Sequence, residues 1–143
     1  MPRTVRITKQ LAAADADGIA LSQTPLAAGN LTLNGVLAAG SPAVATMDTP
    51  RRVLFTFAGD ESSRIFTIRG RLNRISGGSY AEETVAGTTP GTASSLLAWG
   101  QIISIGVDAA TAGALTVGTS GVGATPWFKC DKYLDPTLMK WSF

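Results

Sequence analysis

The chain has 143 residues, 45% of them apolar and only 15% charged; its formal net charge is +2, it has no histidine, and its one cysteine is Cys130. Without histidine, neither Ser-His-Asp and Cys-His nucleophile systems nor His-rich zinc and iron sites can be built. A lone cysteine likewise rules out an intrachain disulfide framework and a Cys-based metal centre.

The charged fraction is well under the roughly one quarter typical of globular domains. Two compatible readings follow: a surface covered by Thr, Ser and Gly, or a surface partly buried against other chains. A charge of +2 is too small to argue for nucleic acid. The length suits a single domain over 1–143, with an N-terminal arm over 1–18 and a C-terminal edge strand over 134–143. The sequence holds no apolar run long enough for a membrane span, and its start lacks the apolar stretch of a signal peptide. The expected setting is therefore a cytosol.

Period-two alternation dominates, broken by turn residues at short intervals, which predicts an antiparallel all-β sandwich of about 8–10 short strands with little or no helix. Val5 and Ile7 alternate with Arg6 and Thr8 as a first strand. Residues 12–16 are compatible with one helical turn, and Asp15, Asp17 and Gly18 form a turn before a short strand over 19–22. Asn34-Gly35, set between Leu31, Leu33 and Leu37, predicts a hairpin. Residues 38–50 read as a loop with a short strand near Val44. Val53, Phe55 and Phe57 then share one face of a strand, and residues 59–63 turn the chain. Phe66, Ile68 and Leu72 face inwards on the return. A strand over 80–86, a polar connection over 87–95 and a long strand placing Trp99, Ile103, Ile105 and Val107 on one face follow. Strands over 113–117, 127–130 and 138–143 complete the pattern, with a glycine-rich loop over 118–123. Cys130 is expected to be a small buried hydrophobe.

Most chemical motifs dissolve on inspection. Gly118-Thr-Ser-Gly-Val-Gly123 lacks the lysine and the helix of a phosphate loop, and Pro126 follows it. Asp15 and Asp17 open like a calcium loop, but the twelfth position is Leu26. Asp60 with Glu61, and Glu82 with Glu83, are adjacent pairs, and neighbours in a strand point to opposite faces rather than across a cleft. No catalytic, cofactor-binding or metal-ligating residue is expected, and no enzymatic activity. Six of the twelve basic residues, Arg51, Arg52, Arg64, Arg69, Arg71 and Arg74, fall within 24 positions. They suit a solvated outer face or a contact with an acidic protein, since arginine's planar fork pairs well with carboxylates. Met139, Trp141 and Phe143 alternate with Lys140 and Ser142, as in a core strand or an edge strand meeting a neighbouring subunit.

Several runs together resemble a known family. They are Ala-Asp-Gly-Ile-Ala-Leu-Ser-Gln-Thr-Pro at 16–25, Leu-Thr-Leu-Asn-Gly at 31–35, Pro-Arg-Arg-Val at 50–53, Phe-Thr-Ile-Arg-Gly at 66–70, Glu-Glu-Thr-Val at 82–85 and Thr-Val-Gly-Thr-Ser-Gly-Val-Gly at 116–123. The chain in this respect is similar to the jelly-roll cementing (decoration) proteins of tailed bacteriophages, such as podophages infecting Bordetella. The likeness covers about 11–135 and departs from the family pattern after about Tyr133.

The resemblance implies a jelly roll on the outside of an icosahedral head, assembled in the host cytoplasm and strapping together subunits of the major capsid protein. Pairing of two copies about a capsid symmetry axis also belongs to that expectation, without nucleic acid or membrane contact. Arg51, Arg52, Arg64, Arg69, Arg71 and Arg74, the N-terminal segment and Met139, Trp141 and Phe143 are then the candidate contacts. The rival expectations are a tail or fibre component, and a carbohydrate-binding module whose Trp99, Trp127 and Trp141 stack on sugar rings.

Overall fold

The computed structural model describes residues 12–72 and 79–123. It is all-β and antiparallel, with strands β1 (Asp15–Gln23), β2 (Gly29–Asn30), β3 (Ala38–Ala39), β4 (Val44–Phe57), β5 (Ile65–Arg71), β6 (Tyr80–Ala86), β7 (Gly91–Ser94), β8 (Trp99–Val107) and β9 (Leu115–Gly123). The main hydrogen-bonded path runs β1-β9-β4-β8-β5-β6, with β2 on β8 and both β3 and β7 on β4. Among the described residues there is no helix, so 12–16 form no helical turn. The predicted strands at 5–7, 127–130 and 138–143, with Cys130, lie outside the described residues.

The organising element is β4. Ala45, Met47, Thr49, Arg51, Val53, Phe55 and Phe57 are all buried, so a single face points inwards along its whole length. Its first half pairs with β8, Ala45 opposite Ile102 and Thr46 opposite Gln101. Its second half lies between β9 and β7, with Phe57 opposite both Leu115 and Gly91. Arg51 is the hinge of this exchange, registered against Trp99 of β8 and Gly123 of β9.

Pro50, which suggested a loop end, lies instead inside β4. Pairing with β8 is irregular between Thr46 and Arg51, so the missing proline N–H falls where the ladder is already interrupted. The result is a sheet bent into two layers. Phe66 of β5 packs against Phe55 and Phe57 of β4, with ring centroids 5.2 and 5.1 Å apart, although β4 and β5 do not pair. Such contact between unpaired strands is the mark of a core between facing layers. Ile19, Met47, Ile68, Trp99, Ile102, Ile105 and Val117 belong to the same core.

Several sequence expectations are met closely. β6 and β8 span the predicted 80–86 and the long strand from Trp99, residues 59–63 turn the chain, and Leu72 packs on the core. Others are corrected. Ile103 was expected inside, yet it is 36% exposed while Ile102 is fully buried. A bulge explains the change: Arg69 pairs with Ser104 but Gly70 with Ile102, and a single extra residue flips the side-chain phase.

Asp15–Gly18 is not a turn but the start of β1, so the body begins inside the stretch assigned to the arm. Asn34-Gly35 closes no hairpin. The 31–37 segment instead runs beside β1, Gly35 N–H donating to the Ile19 carbonyl and Leu37 N–H to that of Gly18. Asn34 Oδ1 accepts from Leu21 N, and the Gln23 amide bonds both the N–H and the carbonyl of Thr32, which covers the edge of β1. The glycine-rich run from Gly118 is strand, not loop. A Cβ on Gly118 would lie 1.9 Å from the Asp15 carbonyl oxygen, so glycine is there to let β1 approach. The 87–95 connection contains β7.

Candidate interaction faces

On the outer layer formed by β8, β5 and β6, alternation sends Ile65, Thr67, Arg69 and Arg71 outwards. Register places Thr67 between Gly106 and Thr84, Arg69 between Ser104 and Glu82, and Arg71 between Gln101 and Tyr80. The arginines are partnered across the strands. Arg69 Nε donates to Glu82 Oε2 at 2.5 Å, both side chains being just over half exposed. Arg71 donates to the Tyr80 hydroxyl at 2.6 Å and holds its guanidinium carbon 4.5 Å from the ring centroid. This face therefore presents hydroxyls, one neutralised arginine and one arginine held against an aromatic ring.

On the other layer, Thr56 is flanked by Thr92 and Thr116, and Leu54 by Ser94 and Gly118. Arg52 is exposed on the same outward phase of β4. The layer is again rich in hydroxyls, which fits the low charged fraction of the sequence.

The six arginines thus do not form one patch. Arg69 and Arg71 are neighbours on one face, and Arg52 belongs to the other. Arg64 is at the end turn, its Nε donating to the Ala110 carbonyl at 2.8 Å. Arg51 is corrected outright as a surface contact: it is 5% exposed, and its guanidinium is spent on Asp48 and on the Ala12 carbonyl. Arg74, Met139, Trp141 and Phe143 lie outside the described residues.

Three features escaped sequence reasoning. Asp48 partners Arg51, although strict alternation sets positions three apart on opposite faces; they meet in the irregular stretch around Pro50. Burial alone would raise the Asp48 carboxyl, but the Arg51 hydrogen bond, the Ala12 backbone donor, the Arg51 charge and the Thr49 donor together hold it below the usual carboxylate value. In the sequence Glu83 stands out only as half of an adjacent acid pair. Its carboxylate in fact accepts from the backbone of Leu96 and Leu97 and from Trp99 Nε1, pinning the 95–98 strap and leaving Leu96 79% exposed. Glu61 is wholly buried where three turns meet: its Oε1 accepts from Gly113 N at 2.9 Å, and its own N–H donates to the Thr88 carbonyl. None of the three is marked by a motif: the Asp48–Arg51 contact arises from the irregular pairing around Pro50, and Glu61 and Glu83 depend on partners distant in the chain.

Trp99, a candidate for stacking on sugar, is fully buried and bonded to Glu83, which removes it from that role. Trp127 and Trp141 lie outside the described residues. Asp60 is held below its usual value by hydrogen bonds from Ser62. Asp60 and Glu61 point to different surroundings, one solvent and one core. No group of three or more metal-ligating side chains occurs among the described residues. No family model, curated protein or solved structure matches the chain.

Proposed function

We propose that the protein is a structural component of a phage virion that decorates the outside of an icosahedral capsid and cements neighbouring major capsid protein subunits. The observation that carries the reading is the pair of outward sheet faces. Both are rich in hydroxyls and carry few charges, and on one of them Arg69 is paired in place with Glu82. Such faces match a partner by shape and many small contacts rather than by a strong field. Exposed apolar side chains lie on one of them, Ile65 and Tyr80, and on the connections beside them, Leu26, Val36 and Leu96. The family resemblance of 16–25, 31–35, 50–53, 66–70, 82–85 and 116–123 supports the same reading, jelly-roll connectivity and dimerisation included. Weak contacts repeated over a closed shell add up through avidity.

The test is co-sedimentation of the full chain with expanded, undecorated heads of the phage that encodes it. Near-stoichiometric occupancy is expected. Recovery in the supernatant at all head concentrations would refute the reading and favour a tail or fibre role.

A further inference from the structure

The pair at the hinge of β4, a buried arginine and a partly exposed aspartate, makes more contacts than an ion pair needs. Arg51 grips Asp48 with two nitrogens, Nε to Oδ1 at 3.0 Å and Nη2 to Oδ2 at 3.2 Å. Thr49 N–H fixes the same Oδ1 at 2.9 Å. Two further contacts are made to the backbone of one residue: Asp48 Oδ2 accepts from Ala12 N at 2.9 Å, and Arg51 Nη2 donates to Ala12 O at 2.5 Å. One side chain reads the amide donor and the other the carbonyl acceptor of a single residue 36 and 39 positions away.

We infer that Asp48 and Arg51 form a main-chain clamp, a binding site for the backbone N–H and C=O of a single residue, whose occupant is this chain's own residue 12. The contacts are to backbone atoms, so the site discriminates by main-chain geometry and not by side chain. Charge-assisted bonds to a donor and an acceptor at once are strong and directional. Their place is also telling: Arg51 is the residue where β4 passes from β8 to β9. The clamp therefore holds residue 12 beside the point where β4 passes from one layer to the other. This inference does not depend on the capsid reading.

Residues 1–11 supply the probe, since Arg3, Arg6 and Lys9 are trypsin sites. Cleavage after Lys9 is followed in the full chain, each rate divided by that of the peptide 1–16 carrying the same substitution, which cancels protease preference. Ala12→Pro deletes the amide donor and leaves Asp48 and Arg51 intact; Asp48→Ala removes the acceptor; Ala12→Leu keeps the main chain and changes the side chain. Ala12→Pro and Asp48→Ala should raise the normalised rate roughly tenfold, while Ala12→Leu should match the parent. Ala12→Pro decides the matter if Asp48→Ala fails to fold. An unchanged rate in Ala12→Pro overturns the clamp, as does an equal rise in Ala12→Leu, which would mean side-chain packing holds the segment.

Discussion

Arg51 illustrates what context does to a side chain that composition alone would assign to the surface. A buried guanidinium is costly unless paired and hydrogen-bonded, and here Asp48 and the Ala12 carbonyl meet that need. The pair also has a pH signature. The Asp48 carboxyl is held below its usual value in the folded chain. Its contribution is therefore complete above the ordinary carboxylate range and disappears as pH falls through the depressed folded value. In urea titrations, the stability advantage of the parent over Asp48→Asn should be constant between about pH 7 and 5 and shrink below about pH 4. An advantage that persists unchanged into acid would show that the charge on Asp48 is not what matters.

At the level of elements, period-two patterning located the strands wherever alternation was unbroken. Val53, Phe55 and Phe57, Phe66 and Ile68, and the strand over 80–86 were legible because each position faces one layer throughout. Patterning failed where the ladder is irregular. The bulge between Arg69 and Gly70 exchanges Ile103 for Ile102, and the close approach at Gly118 turns an apparent loop into strand. Neither is a local property of the residues concerned; both are set by the neighbouring strand. Ile102→Ala should cost about 2–5 kcal/mol and Ile103→Ala less than about 1 kcal/mol in chemical denaturation. The reverse order would place the bulge elsewhere. The contact set was harder to read than the strands, since the arginines scatter over two faces, a turn and the core, and Ala12, Glu61 and Glu83 bond to groups far along the chain.

For the whole molecule, the decisive fact is that β4 contributes to both layers and Phe55, Phe57 and Phe66 lock them together. Neither layer has a complete set of strands without it, so unfolding should be all-or-none for the body. Far-ultraviolet circular dichroism and near-ultraviolet aromatic signals should give coincident urea transitions. Separated midpoints would show that one layer survives the other.

A mechanical consequence follows from the same strand. In a sandwich whose layers are joined only by loops, a load pulling them apart is resisted by side-chain packing alone. Here the line of force also runs through the covalent main chain at Arg51, from the stretch beside β8 straight into the stretch between β7 and β9. Prising the layers apart would require stripping β4 from its ladders, so those hydrogen bonds as well as the core packing resist separation of the two faces.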